Sequence, residues 1–164
     1  MLAAITEFIE QGELITQSDR KRHQYVIRSL DKNDLAAIMQ LQTNVLSRIA
    51  KKEYCVPILA EEILFMLEGN GDAVGLFMQD KLYAACFLLF NVPYEINMAR
   101  ELSFSDEELT LVSQLELSLV HFAVRGHRLQ CNWPASWFSE PNKGRIPGMY
   151  SQRFRLIITR VFKQ

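Results

Sequence analysis

The chain has 164 residues, enough for one domain with a hydrophobic core. Apolar residues make up 49% and charged residues 23%, which is the balance of a soluble globular domain. The formal net charge of −1 predicts no charged partner.

The cysteines and the apolar stretches predict a reducing compartment. Cys55, Cys86 and Cys131 are odd in number and form no Cys-x-x-Cys pair, so we expect neither a disulfide framework nor a structural zinc site. The N-terminus does not resemble a signal peptide, and the longest apolar stretch, Leu82–Phe90, is too short to span a bilayer. We therefore expect a cytoplasmic protein without a membrane partner or a metal.

The first elements are a helix, a linker and a strand. Ile5, Phe8 and Ile9 lie at helical spacing, so a short helix is predicted between Leu2 and Ile15. The basic residues near position 20 are interpreted as a solvated connector rather than a nucleic-acid site. His23–Leu30 then alternates as a strand does.

Two helices and a hairpin follow. Asp31 is placed to cap a helix that runs to about Ala50, and a second helix is predicted over Ala60–Glu68 before Gly69. Two apolar strands, Ala73–Met78 and Leu82–Phe90, are separated by a tight turn and form a hairpin. The Leu82–Phe90 strand is expected to be buried on both faces.

A capping box and a third strand come next. Ser105 and Glu108 have the capping-box spacing, which predicts a short helix. The run Leu115–Val124 predicts a strand that breaks at Arg125-Gly126. Backbone N–H groups in such a turn can hold a phosphate, although an ordinary turn has the same pattern.

The residues Val120-His121-x-x-x-Arg125-Gly126-x-x-Leu129-Gln130 resemble the acyl-coenzyme A loop of the GNAT superfamily of N-acetyltransferases. The order of predicted elements over residues 23–131 is also similar to the first half of a GNAT domain. Two residues depart from the family pattern: Phe122 replaces a common proline, and Arg128 occupies the position of the central glycine. We therefore expect Arg128→Gly to tighten coenzyme A binding.

The resemblance implies an α/β fold with a mixed sheet, acetyl-coenzyme A as cosubstrate, and no metal. It implies that the backbone of Arg125, Gly126, His127, Arg128, Leu129 and Gln130 cradles the pyrophosphate, and that the pantetheine arm pairs with Leu119, Val120 and His121. Some family members use a glutamate at the position of Glu116 as general base, often through water.

Each candidate also has a structural interpretation. Glu116 can be a solvent-facing strand residue, and His121 is better interpreted as a strand-end histidine bonded to backbone than as a base. Cys131 has no partner histidine or aspartate at a recognisable spacing and is interpreted as a small buried thiol.

The resemblance stops after Gln130, where prolines and glycines prevent the long helix that a GNAT domain has next. Residues 1–133 hold 12 Lys/Arg against 18 Asp/Glu, whereas residues 134–164 hold 6 against 1. We divide the chain into an N-terminal helix and linker (1–22), a GNAT-like domain (23–133) and a basic tail (134–164), in which Phe154–Phe162 is a candidate strand. The tail is a divergent C-terminus that leaves the fold incomplete or, as the composition shift favours, the product of out-of-frame translation.

The function predicted first is acetyl transfer from acetyl-coenzyme A to a primary amine of a small molecule or peptide. The acceptor cleft is expected in loops such as Lys51–Leu59 and Asn91–Phe104. One alternative is an inactive, truncated or frameshifted remnant of such an enzyme. Another is a small interaction domain whose basic tail, Lys143–Lys163, binds an acidic surface or nucleic acid. The sequence predicts no oligomeric state.

Overall fold

The computed structural model describes residues 8–49, 57–90, 92–102, 104–110, 112–127, 129 and 155–158. Nine helices and strands lie in this described part, in the order β1 (Phe8–Ile15), β2 (Arg22–Ser29), α1 (Leu35–Leu46), α2 (Ala60–Phe65), β3 (Gly71–Met78), β4 (Lys81–Leu89), α3 (Asp106–Leu109), β5 (Val112–Val120) and β6 (Arg155–Ile158). No helix in these ranges is long and apolar enough to cross a membrane.

The predicted N-terminal helix is wrong over the described residues, because Phe8–Ile15 forms strand β1. This strand pairs antiparallel with β2 along its length. Gly12 disfavours a helix, and it leaves room for the Tyr25 side chain in the strand pair, because a Cβ at this position would lie 2.8 Å from the Tyr25 hydroxyl oxygen. Tyr25 in turn donates a 2.6 Å hydrogen bond to Glu10 across the two strands. The division of the chain at residues 22 and 133 stays a prediction.

The predicted strand, helices and hairpin between residues 22 and 90 are confirmed. Asp31 caps the turn that opens α1 by accepting a hydrogen bond from the Asn33 N–H. The helix ends at Leu46, before the predicted Ala50, and Ser47 continues it as a turn. Gln79 and Asp80 both have positive φ in the β3–β4 turn, which is the geometry of a two-residue hairpin loop.

All six strands form one sheet in chain order, with antiparallel neighbours except for the parallel pair β5 and β6. The sequence predicted the four strands β2 to β5 and a candidate strand that includes β6, so β1 is the additional strand. The predicted α/β fold with a mixed sheet is confirmed. Residues of the predicted strand Phe154–Phe162 beyond Arg155–Ile158 lie outside the described residues.

The sheet is covered on both faces. Helices α1 and α2 pack Ile38, Leu41 and Ile63 against one face, together with Phe87 of β4. A second cluster includes Leu14 and Cys86 of the strands and Val124 of the turn after β5. Strand β4 contributes to both clusters, as the prediction of burial on both faces requires.

Candidate functional site

Strand β5 changes its pairing halfway along its length. Its first half, Val112–Leu115, lies parallel to Arg155–Ile158 of β6. Its second half, residues 116–120, has a strand neighbour among the described residues only on the β4 side. A strand edge of this kind presents backbone donors and acceptors to a ligand that lies alongside it.

Glu116 lies at the point where the pairing changes. Leu115 pairs with Leu88 and Leu117 with Phe87, so Glu116 is the extra residue of a β-bulge. Bulges redirect a side chain and are frequent beside active sites. The half-buried Glu116 accepts a 2.9 Å hydrogen bond from Nε2 of Gln114, which is 1% exposed.

The residues after Glu116 combine apolar packing with one buried hydroxyl group. Leu119 packs on the helix-covered face of the sheet, and Val120 packs on the opposite face. Ser118 Oγ is buried, and no hydrogen-bond partner is found for it in the part of the chain that the structure describes.

Strand β5 ends four residues before the predicted Val124 because His121 caps a turn over Phe122–Val124. His121 Nδ1 accepts a hydrogen bond from the Ala123 N–H at 3.2 Å. The backbone N–H of His121 donates to the Tyr83 carbonyl at 2.8 Å. The predicted strand-end histidine bonded to backbone is therefore observed.

Three cations lie near enough to His121 to affect its pKa, and we call Arg48, Lys81 and Arg125 the basic cluster. Burial lowers the pKa of His121 below its ordinary value, and the charges of Lys81, Arg48 and Arg125 lower it further. The guanidinium of Arg48 lies 3.6 Å from the centroid of the Phe122 ring. Positive charge of this kind near the start of the loop is suited to a phosphate.

The loop that follows is held by the end of β1. Gln17 Nε2 donates to the Arg125 carbonyl at 2.7 Å, and the Gln17 N–H donates to the Ala123 carbonyl at 2.7 Å. His127 Nε2 lies 2.7 Å from the Ile15 carbonyl oxygen. Gly126 has a φ of +86°, a backbone conformation that glycine adopts most readily.

The fold thus places Glu116, Leu119, Val120, His121, Arg125, Gly126 and His127 on one strand and the turn after it. Leu129 packs against the second hydrophobic cluster. Arg128 and Gln130 lie outside the described residues, as do Cys55 and Cys131.

Sequence reasoning missed Gln17, Arg48 and Lys81. These residues come from the β1–β2 turn, the turn after α1 and the start of β4, so no local spacing connects them with the β5 loop. Gln114 was also missed, although a polar residue two positions before Glu116 on the same strand was a visible signal.

Comparison of the sequence with protein-family models and with curated proteins gives no match. The structure is similar to the ribosomal-protein-alanine N-acetyltransferase from Brucella melitensis biovar Abortus 2308, with 12% identity and a TM-score of 0.50 over 84% of this chain and 80% of that one. A possible acetyltransferase from Clostridium difficile 630 is also 12% identical, with a TM-score of 0.50 over 84% of this chain and 80% of that one. A probable acetyltransferase from Staphylococcus epidermidis ATCC 12228 is 20% identical, with a TM-score of 0.41 over 59% of this chain.

The match spans 54% of the Staphylococcus chain, about half of its length. Identities this low establish the fold alone. The chain has the fold of the GNAT N-acetyltransferases, as the β5 loop sequence predicted.

Proposed function

We propose that this chain is an N-acetyltransferase that moves the acetyl group of acetyl-coenzyme A to a primary amine. One observation carries the proposal: the second half of β5 has strand pairing on one side among the described residues and leads into the basic cluster. This arrangement supplies a backbone edge for an extended amide chain, followed by positive charge for phosphates. The likeness of the fold to acetyltransferases supports it.

In this proposal the pantetheine arm pairs with the backbone of Leu119, Val120 and His121. The pyrophosphate lies against the turn that begins at Arg125-Gly126, near Arg48 and Lys81. His127, Leu129 and the positions of Arg128 and Gln130 complete the cradle. The hydrogen bonds from Gln17 hold the start of this turn in place before the cofactor arrives.

Glu116 is proposed as the general base, acting through water. It accepts the proton that the amine loses as its nitrogen attacks the thioester carbonyl. The carbon–sulfur bond then breaks, and coenzyme A leaves as a thiolate that takes up a proton. The hydrogen bond from Gln114 restricts the orientation of the Glu116 carboxylate.

A substitution at Glu116 separates catalysis from cofactor binding. Loss of a general base lowers turnover by about 100-fold or more, so we expect Glu116→Gln to reduce kcat by this factor. Its Kd for acetyl-coenzyme A should stay that of the wild type. Glu107→Gln is the matched control, because Glu107 is an exposed carboxylate on α3. Unchanged turnover in Glu116→Gln excludes Glu116 as the base.

A further inference from the structure

A cavity of about 450 Å³ lies in the segment between β4 and β5. This size is within the range of about 300–1,000 Å³ that small-molecule sites have. Buried Asn97 holds its walls together, since Asn97 Nδ2 donates to the Leu109 carbonyl at 3.3 Å and its Oδ1 accepts from the Ala99 N–H at 3.0 Å. We call it the 94–109 cavity after the outermost residues of its lining.

Apolar side chains that the core leaves exposed line this cavity. Tyr94 is 57% exposed, Ile96 52% and Met98 39%, and they make up half of the large hydrophobic residues that are exposed in the described part of the chain. Three exposed apolar residues at one cavity indicate a surface for an apolar ligand group.

The charges of the lining are mainly negative. Three carboxylates, Glu95, Glu101 and Asp106, face one guanidinium, that of Arg100. The Arg100 guanidinium lies 4.0 Å from the Tyr94 ring centroid and donates to the Tyr94 carbonyl at 3.2 Å. A lining that combines these three exposed apolar side chains with an excess of carboxylates is complementary to an organic cation with an apolar body.

The cavity is connected to the proposed catalytic group. The N–H of Met98, which lines the cavity, donates to Gln114 Oε1 at 3.4 Å. The other end of the same amide donates to Glu116 at 2.9 Å. One buried side chain therefore separates the cavity wall from the carboxylate that is proposed to deprotonate the acceptor.

We propose that the 94–109 cavity is the acceptor site, and that it takes a primary amine carried on an apolar aliphatic or aromatic group. This inference rests on the proposed function and adds the substrate class to it. Gln114 acts as a positioning residue that fixes Glu116 relative to the cavity wall through its two hydrogen bonds.

Calorimetric titration of the whole chain with 2-phenylethylamine and its neutral counterpart 2-phenylethanol tests the site. We expect the amine to bind more tightly than the alcohol. Removing both exposed charges in Glu95→Gln/Glu101→Gln should weaken amine binding by about three- to tenfold and leave alcohol binding unchanged. Glu107→Gln, which removes a carboxylate outside the lining, should change neither.

Equal binding of amine and alcohol, or no effect of the double substitution, overturns the acceptor site. A parallel titration with acetyl-coenzyme A separates this result from failure of the proposed function. If acetyl-coenzyme A binds and the amine binds no more tightly than the alcohol, only the proposal of the acceptor site is wrong. If acetyl-coenzyme A does not bind but the amine is selected as expected, the transfer reaction is wrong and the amine site stands.

Discussion

Gly126 provides the sharpest test of the loop that follows β5. Its φ of +86° lies in the left-handed region, and a Cβ at this position would lie 3.0 Å from Gln17 Nε2. The same Gln17 amide donates to the carbonyl of Arg125 at 2.7 Å. Alanine at position 126 therefore combines an unfavourable backbone conformation with a contact against the side chain that holds the loop.

The magnitude follows from these two effects. A left-handed backbone costs a residue with a Cβ about 1–2 kcal/mol, and loss of the Gln17 hydrogen bond costs about 1 kcal/mol more. We expect Gly126→Ala to lower the free energy of unfolding by about 2–3 kcal/mol. At about 2–4 °C per kcal/mol for a domain of this size, Tm falls by about 4–12 °C.

Denaturant unfolding of Gly126→Ala, Gln17→Ala and the double variant separates the two effects. Gln17→Ala should cost about 1 kcal/mol, because it removes the hydrogen bond alone. The double variant should lose less than the sum of the single losses, since removing the Gln17 amide relieves the contact with the new Cβ. Wild-type stability in Gly126→Ala would refute the positive φ and the loop geometry built on it.

Three further predictions concern charge. By NMR titration, the pKa of His121 should lie below 6.5 and should rise in Lys81→Ala, whereas a pKa above 6.5 would contradict the basic cluster. Because folding lowers this pKa, the stability that neutral His121 contributes is complete above about pH 6.5. This stability is lost as the pH falls toward the folded-state pKa. Arg48→Ala should raise the Kd for coenzyme A by about three- to tenfold at low salt, and an unchanged Kd removes Arg48 from the phosphate site. Burial raises the pKa of Asp34, but hydrogen bonds from Arg28 and the Asp31 N–H and the charge of Arg28 outweigh it, so the pKa lies below its ordinary value. Asp34→Asn should therefore cost about 2 kcal/mol of unfolding free energy at pH 7, a difference that disappears as the pH falls through the folded-state pKa; equal stability at pH 7 contradicts the ion pair.

Local signals made several elements of the fold predictable. Asp31 marked the start of α1, Ser105 and Glu108 marked α3, and the run Leu82–Phe90 marked the central strand. Each signal acts within a few residues through a cap or through side-chain alternation. Local signals did not predict that Phe8–Ile15 forms a strand. This strand depends on pairing with β2 and on the fit of Gly12 against Tyr25.

The candidate site also has a part that local sequence predicts and a part that it does not. The motif covers Val120 to Gln130 and the resemblance adds Glu116 on the same strand, and both could be recognised because these residues are close together in the sequence. The bulge at Glu116 depends on the register between β4 and β5, and the basic cluster depends on the positions of Arg48 and Lys81 in the folded chain. A single sequence contains neither relation, since both are set by tertiary packing.

The central claim is that the edge of β5 and the loop after it bind acetyl-coenzyme A. Calorimetric titration of the whole chain with acetyl-coenzyme A tests it most directly, with Arg48→Ala and Glu107→Gln measured beside the wild type. The account predicts saturable binding of one molecule per chain, weakened by Arg48→Ala and unchanged by Glu107→Gln. Absence of binding at millimolar acetyl-coenzyme A would contradict the claim and favour the inactive remnant.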